Sequence, residues 1–172
     1  MKFRKPNRNE IGLIENCAAH FKGHFETDKF SLFVDKFNKV FIYNGTPLNL
    51  TDLGALSIGL HIGKFEADNT FTPNQEFIDV INPTAYIFEI QDATDHLTSF
   101  GDFPTSLENA INFMKGQDIG NERNDYMIYT EKKLNFEENA LIALKYKGMV
   151  LGVGKFSKGK IINKISKRKK LH

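Results

Sequence analysis

The chain has no tryptophan, a single cysteine, five prolines among 172 residues, and an acid-free final stretch. Each scarcity excludes something. Cys17 alone cannot form an intramolecular disulfide or a cysteine-only zinc site. No apolar run approaches the roughly 18 residues that a membrane-spanning helix needs, so no membrane span is expected. The basic start, Met1-Lys2-Phe3-Arg4-Lys5-Pro6-Asn7-Arg8, is not followed by an apolar stretch, and a signal peptide is not expected. The missing acid is the most informative absence. From Asn139 to His172 there are ten Lys or Arg and no Asp or Glu. The whole chain holds 23 basic and 21 acidic residues, so residues 1–138 hold 13 basic against 21 acidic. The small net charge hides a dipolar sequence with −8 on one side and +10 on the other. A basic block ending in Lys167-Arg168-Lys169-Lys170 suits a polyanion, and nucleic acid is the commonest one.

What is present supports a folded protein. Hydrophobic residues make up 41% of the chain, and 16 of them are Phe, enough for a core and too many for a disordered chain. A soluble, cytoplasmic protein is expected.

The local patterns give an α+β chain. Ile11, Leu13, Ile14, Cys17, Ala18 and Phe21 fall at helical spacing, with Asn9 as the expected cap. Phe30–Val34 and Val40–Tyr43 are β-prone runs across a polar turn. Thr51–Leu56 reads as a short helix. A further helix is expected from Thr72-Pro73, carrying Phe77, Ile78 and Ile81, and Asn82-Pro83 ends it. The domain boundary is placed there, giving an N-terminal α/β domain (1–83) and a mostly β C-terminal domain (84–172). In the second, strands are expected at Tyr86–Ile90, Tyr126–Thr130, Leu141–Tyr146 and Met149–Lys155, with a last one at Ile161-Ile162. A helix opens at Ser106 and ends at Lys115-Gly116. Lys147-Gly148 signals a tight hairpin.

Several stretches, in order, carry a resemblance. Lys147-Gly148-Met149-Val150-Leu151-Gly152-Val153-Gly154-Lys155 resembles the final hairpin of a PUA domain, and Asn112–Ile119 resembles the element after its first helix. Lys155–Lys164 is similar to the ending of the PUA-like tail of NOL/NOP/Sun (Fmu) rRNA cytosine methyltransferases, although Ile165-Ser166-Lys167-Arg168 lacks the usual proline. Gly59–Phe65 and Phe71-Thr72-Pro73 resemble the stretch upstream of such tails. The resemblance implies a PUA-like pseudo-barrel that binds RNA. The Pro-Cys motif and the second catalytic Cys of those enzymes are missing, and no Gly-rich methyl-donor unit is visible. The implied protein is a non-enzymatic rRNA or tRNA binder without a cofactor, an accessory of ribosome biogenesis or RNA modification. A protein-interaction subunit docking a separate methyltransferase or ribosome-assembly factor is the alternative.

The expected phosphate contacts are Lys155, Lys158, Lys160, Lys164, Lys167, Arg168 and Lys169. Phe156, between Lys155 and Lys158, is a candidate for stacking on an unpaired base. Gly152 and Gly154 are places where backbone could come close to RNA, or where a sheet bends. The acidic balance of residues 1–138 would repel RNA, which suits the N-terminal part to a protein partner or equally to biasing orientation on RNA. Other clusters point to chemistry less well. Cys17, His20 and His24 have a ligand-like spacing, but Cys17 lies in the apolar stripe and reads as core. His61 has no obvious catalytic neighbour. Asp92, Asp95, His96 and Asp102 suit turns and caps. No metal site and no catalytic residue are assigned.

Overall fold

A computed structural model describes residues 3–44, 59–90, 106–119 and 136–165. The chain divides into two compact units, Met1–Ala85 and Tyr86–His172.

The first unit opens on helix α1 (Arg8–His20). Its cap is Asn7, not Asn9. Asn7 Oδ1 accepts from the Glu10 N–H at 2.9 Å, and the Glu10 carboxylate accepts from the Asn7 N–H at 2.8 Å. The Asn-x-x-Glu spacing makes this reciprocal box, and Asn9 has no Glu three residues later. Arg4 reinforces it with two bonds of 2.7 Å to Glu10, and this contact above all holds the Glu10 carboxyl below its ordinary range. Strands β1 (Ser31–Val34), β2 (Lys39–Tyr43), β3 (Leu60–Phe65) and β4 (Phe71–Pro73) form one sheet in that order. Every neighbouring pair is antiparallel, so the unit is α+β, and the expected α/β label is corrected. The four-residue β1–β2 and five-residue β3–β4 connections are hairpins, which join antiparallel neighbours. Pro73 ends β4 instead of opening a helix; α2 (Gln75–Ile81) starts two residues later under an Asn74 cap and ends at left-handed Asn82. Ile14, Cys17 and Ala18 of α1, Phe21 at its C-cap, and Phe77, Ile78 and Ile81 of α2 are buried, as are Val34, Val40 and Ile62 of the sheet.

The second unit contains β5 (Ile87–Ile90), α3 (Ser106–Met114), β6 (Leu141–Tyr146), β7 (Met149–Ser157) and β8 (Lys160–Asn163). Its sheet order is β5-β6-β7-β8, with β5 parallel to β6 and the other pairs antiparallel. Lys147-Gly148 and Lys158-Gly159 make the two hairpin turns. All four residues have positive φ (49°, 78°, 49° and 77°), the geometry that matches strand twist in two-residue loops. The main core cluster lies on one face of the sheet, where Phe88, Ile142, Leu144, Phe156 and Ile161 meet Ala110 and Phe113 of α3. The register partners Ala143 and Val153 on the other face are buried as well. The expected Thr51–Leu56 helix and Tyr126–Thr130 strand lie outside the described residues.

Candidate nucleic-acid interface

Strand alternation sorts the basic residues of the C-terminal unit. Phe156, Ile161 and Ile165 point to the core, and the Asn163 side chain reaches α3. Lys155, Lys160, Ile162 and Lys164 therefore take the opposite face. Lys155 pairs with Ile162 on one side and Leu141 on the other, so these three form a row across β6, β7 and β8. Ile162 is 37% exposed, Lys164 is exposed, and Lys155 and Lys160 are half-buried. Lys145 joins the same face from β6, beside Glu89 of the neighbouring β5. The face thus runs from basic at β7 and β8 to mixed at β5. Ala143 and Val153 on this same face are buried, so the basic groups line its β7–β8 edge, where ammonium groups at strand spacing suit a row of phosphates.

Two polar devices hold this edge in shape. Glu138 caps the β7–β8 turn, accepting from Ser157 Oγ at 2.7 Å and from the Lys158 N–H at 3.1 Å. The Ser157 hydroxyl first, then the Lys158 N–H, lower the Glu138 pKa, with Lys158 and Lys155 adding charge. Lys158 sits exposed at the turn tip. Asn163 is the second device. Its amide donates to the Phe113 carbonyl at 2.6 Å and its oxygen accepts from the Ile165 N–H at 2.8 Å. The Asn163 N–H donates to the Asp118 carboxylate at 2.8 Å. These bonds tie the C-terminal end of α3 to the strand that presents Lys160 and Lys164. Glu138 is not legible as a partner in the sequence, because it meets residues 19 and 20 positions away. Lys145 can be assigned from strand period alone.

Three expected roles change. Phe156 is 7% exposed and packs edge-to-face on Phe136 at 5.8 Å, so it is a core ring and cannot stack on a base. Its place opposite Lys155 in the strand period dictates this. Gly152 and Gly154 are tight against the protein itself, not open to a ligand. A Cβ on Gly154 would lie 2.2 Å from Ile161 Cγ2, and one on Gly152 would lie 2.7 Å from Ile165 Cγ1. Lys167, Arg168 and Lys169 lie outside the described residues.

Among the described residues, no three His, Cys, Asp or Glu side chains converge as metal ligands. Cys17 is buried in α1 and burial pushes its thiol up to about 12, which makes it a poor nucleophile and ligand at neutral pH. His24 lies beyond the helix, beside Glu26 at 3.5 Å. His61 is positional: Nε2 donates to the Gly63 carbonyl at 2.9 Å, and the amide of Asn74, the α2 cap, contacts Nδ1 at 3.3 Å. Asp92, Asp95, His96 and Asp102 lie outside the described residues. No described helix is long and apolar enough to cross a membrane.

A comparison with curated proteins found no match to the chain. The family described as the methyltransferase RsmF PUA domain matches residues 100–168, which include α3, β6, β7, β8 and the basic face. The matched part is the PUA domain of that methyltransferase and not its catalytic domain. The C-terminal part of this chain is therefore a PUA-like domain resembling the C-terminal tail of the Sun/Fmu rRNA methyltransferases.

Proposed function

We propose that the chain is a non-enzymatic, cytoplasmic RNA-binding protein that serves ribosome biogenesis or rRNA or tRNA modification. A PUA domain suggests RNA binding in a methyltransferase-related context. The observation that carries the reading is the convergence of Lys155, Lys160 and Lys164 on one sheet face, with Lys158 at the adjoining turn, inside the matched region. These residues meet backbone phosphates, and the following Lys167, Arg168 and Lys169 extend the contact along the RNA. The pseudo-barrel closure implied by the resemblance belongs to the same proposal.

The exposed Ile162 in the middle of the lysines supports a second reading, in which this face docks a separate methyltransferase or ribosome-assembly protein. The two readings are separated by equilibrium binding of a fluorescent structured RNA to the full chain and to a variant with Lys164, Lys167 and Arg168 changed to Gln. Truncation is unsuitable, because it approaches β8 and its fully buried Ile161. Weaker binding by the variant supports the RNA reading. Equal binding, or none by either protein, removes it.

A further inference from the structure

Phe37 breaks the pattern of the N-terminal unit. Phe21, Phe25, Phe33, Phe41, Phe65, Phe71 and Phe77 are all buried, whereas Phe37 is 54% exposed. Leaving half of a Phe ring in water forgoes part of the stabilisation that its burial would give. The backbone that carries the ring is fixed. Phe37 sits in the β1–β2 connection, where the Asn38 N–H donates to the Asp35 carbonyl at 3.1 Å and Asn38 takes a left-handed φ of 62°. The buried Asp35 carboxylate fixes the turn from inside, accepting from the N–H groups of Phe37 at 2.8 Å and Lys39 at 2.9 Å. A rigid aromatic on a fixed tip loses little entropy on binding.

Its surroundings select the ligand. The Lys36 ammonium lies over the ring, 4.9 Å from its centroid. Lys39 stands opposite Lys64 in the β2–β3 register, a like-charged pair that costs stability by itself. The β3–β4 turn reaches the same end of the sheet and brings two acids. Glu66 is engaged by Lys64 at 2.8 Å, and Asp68 is turned onto the N–H and hydroxyl of Thr70. Lys36 and Lys39 make no ion pair among the described residues; Lys36 lies over the ring, and Lys39 follows it two residues on at the start of β2. The charge count removes the expected repulsion. Residues 1–85 hold nine Lys or Arg against ten Asp or Glu, while residues 86–138 hold four against eleven. The acidity expected of the N-terminal part belongs almost wholly to the segment after it.

We infer that the β1–β2 tip is a second RNA contact, in which Phe37 stacks on an unpaired base and Lys36 and Lys39 take the adjoining phosphates. The inference rests on RNA binding by the chain but uses a different surface from the lysine face of the C-terminal sheet. It makes the protein bipartite, with paired or structured RNA on one unit and an unstacked nucleotide on the other.

The test uses the full chain and two fluorescent RNAs, a blunt hairpin and the same hairpin with a single-stranded uridine overhang. The expected result is that Phe37→Ala and Phe37→Leu each lose about five-fold or more on the overhang RNA and nothing on the blunt one. Phe37→Tyr keeps the affinity, and circular dichroism of each variant matches the wild type. Equal affinity of wild type and Phe37→Ala for the overhang RNA overturns the inference. So does a Phe37-dependent self-association, measured by sedimentation, that accompanies unchanged RNA binding. The Lys155, Lys160 and Lys164 to Gln variant separates the two readings. If it binds both RNAs as the wild type does while Phe37→Ala loses the overhang, the C-terminal reading falls and this one stands. If the wild type binds neither RNA, both fall.

Discussion

Gly154 decides between two meanings of the glycine-rich strand, and its replacement by Ala separates them. Gly154 lies in β7 between Ile142 of β6 and Asn163 of β8. The added methyl would sit 2.2 Å from Ile161 Cγ2, more than an ångström inside ordinary contact, and 3.2 Å from both Leu144 Cδ1 and the Ile162 carbonyl oxygen. Ile161 and Leu144 are fully buried, so neither can swing aside without displacing the α3 side of the core. Overpacking of this kind costs about 1–3 kcal/mol. The lower chain entropy of Ala in the unfolded state returns about 0.4–1 kcal/mol. A net loss of about 1–2 kcal/mol is expected, carried by the C-terminal sheet. Hydrogen exchange read by mass spectrometry on peptides covering β6 and β7 measures it, since these amides open with the sheet. The mechanism is checked by adding Ile161→Ala, which removes the opposing methyl. Alone that change costs about 2–5 kcal/mol, but in combination the two penalties should be sub-additive by about 1 kcal/mol or more. Strictly additive penalties, or a Gly154→Ala protein with native exchange and abolished RNA binding, would refute the packing argument and return the glycine to the interface.

Two further outcomes follow from the devices that hold the basic edge. Asn163→Ala removes one of the two donors to the Phe113 carbonyl, which keeps the Gly116 N–H, and takes the acceptor from the Ile165 N–H, so it should cost about 0.5–1.5 kcal/mol; Asn163→Asp should be no better, because it points a carboxylate at the carbonyl end of α3 near Asp118, and a stable Asp variant in thermal unfolding would contradict this. The Glu138 pKa is lowered in the folded state, so its contribution is present above its ordinary value of 4.5 and is lost as pH falls through the lowered one. Exchange at the Lys158 amide should accordingly speed up in acid beyond the intrinsic rate, and Glu138→Gln should remove that pH dependence; an unchanged profile would show that the carboxylate does not hold the turn.

Much of the fold is legible in the sequence because it rests on local rules. The Lys147-Gly148 hairpin, the strand runs around it and the helix ending at Lys115-Gly116 follow from turn chemistry and period. The helix cap shifts by two residues from its expected place because Asn9 and Asn7 look alike until the partner Glu10 is counted. Pro73 reads as a helix opener because its fixed φ suits a strand end as well as a first helical turn. The parallel β5–β6 pairing is not legible, since nothing local records which distant strand a segment meets. At the site, composition finds the lysines, but their shared face needs the strand period. Applied to Phe156, that same period places the ring inside. Phe37 falls in the polar Asp35–Lys39 turn between the first two strand runs, but the general preference of Phe for the core sets it aside until its exposure is known.

The central claim is that the lysine face binds RNA phosphates, and the salt dependence of binding tests it most directly. Affinity of the full chain for a structured RNA should fall linearly with salt on logarithmic axes. Changing Lys155, Lys160 and Lys164 to Gln should lower the magnitude of the slope by about 2–3, near 0.7–0.9 for each phosphate that is no longer neutralised. A variant with the wild-type slope, or a wild type whose binding ignores salt, would contradict the account.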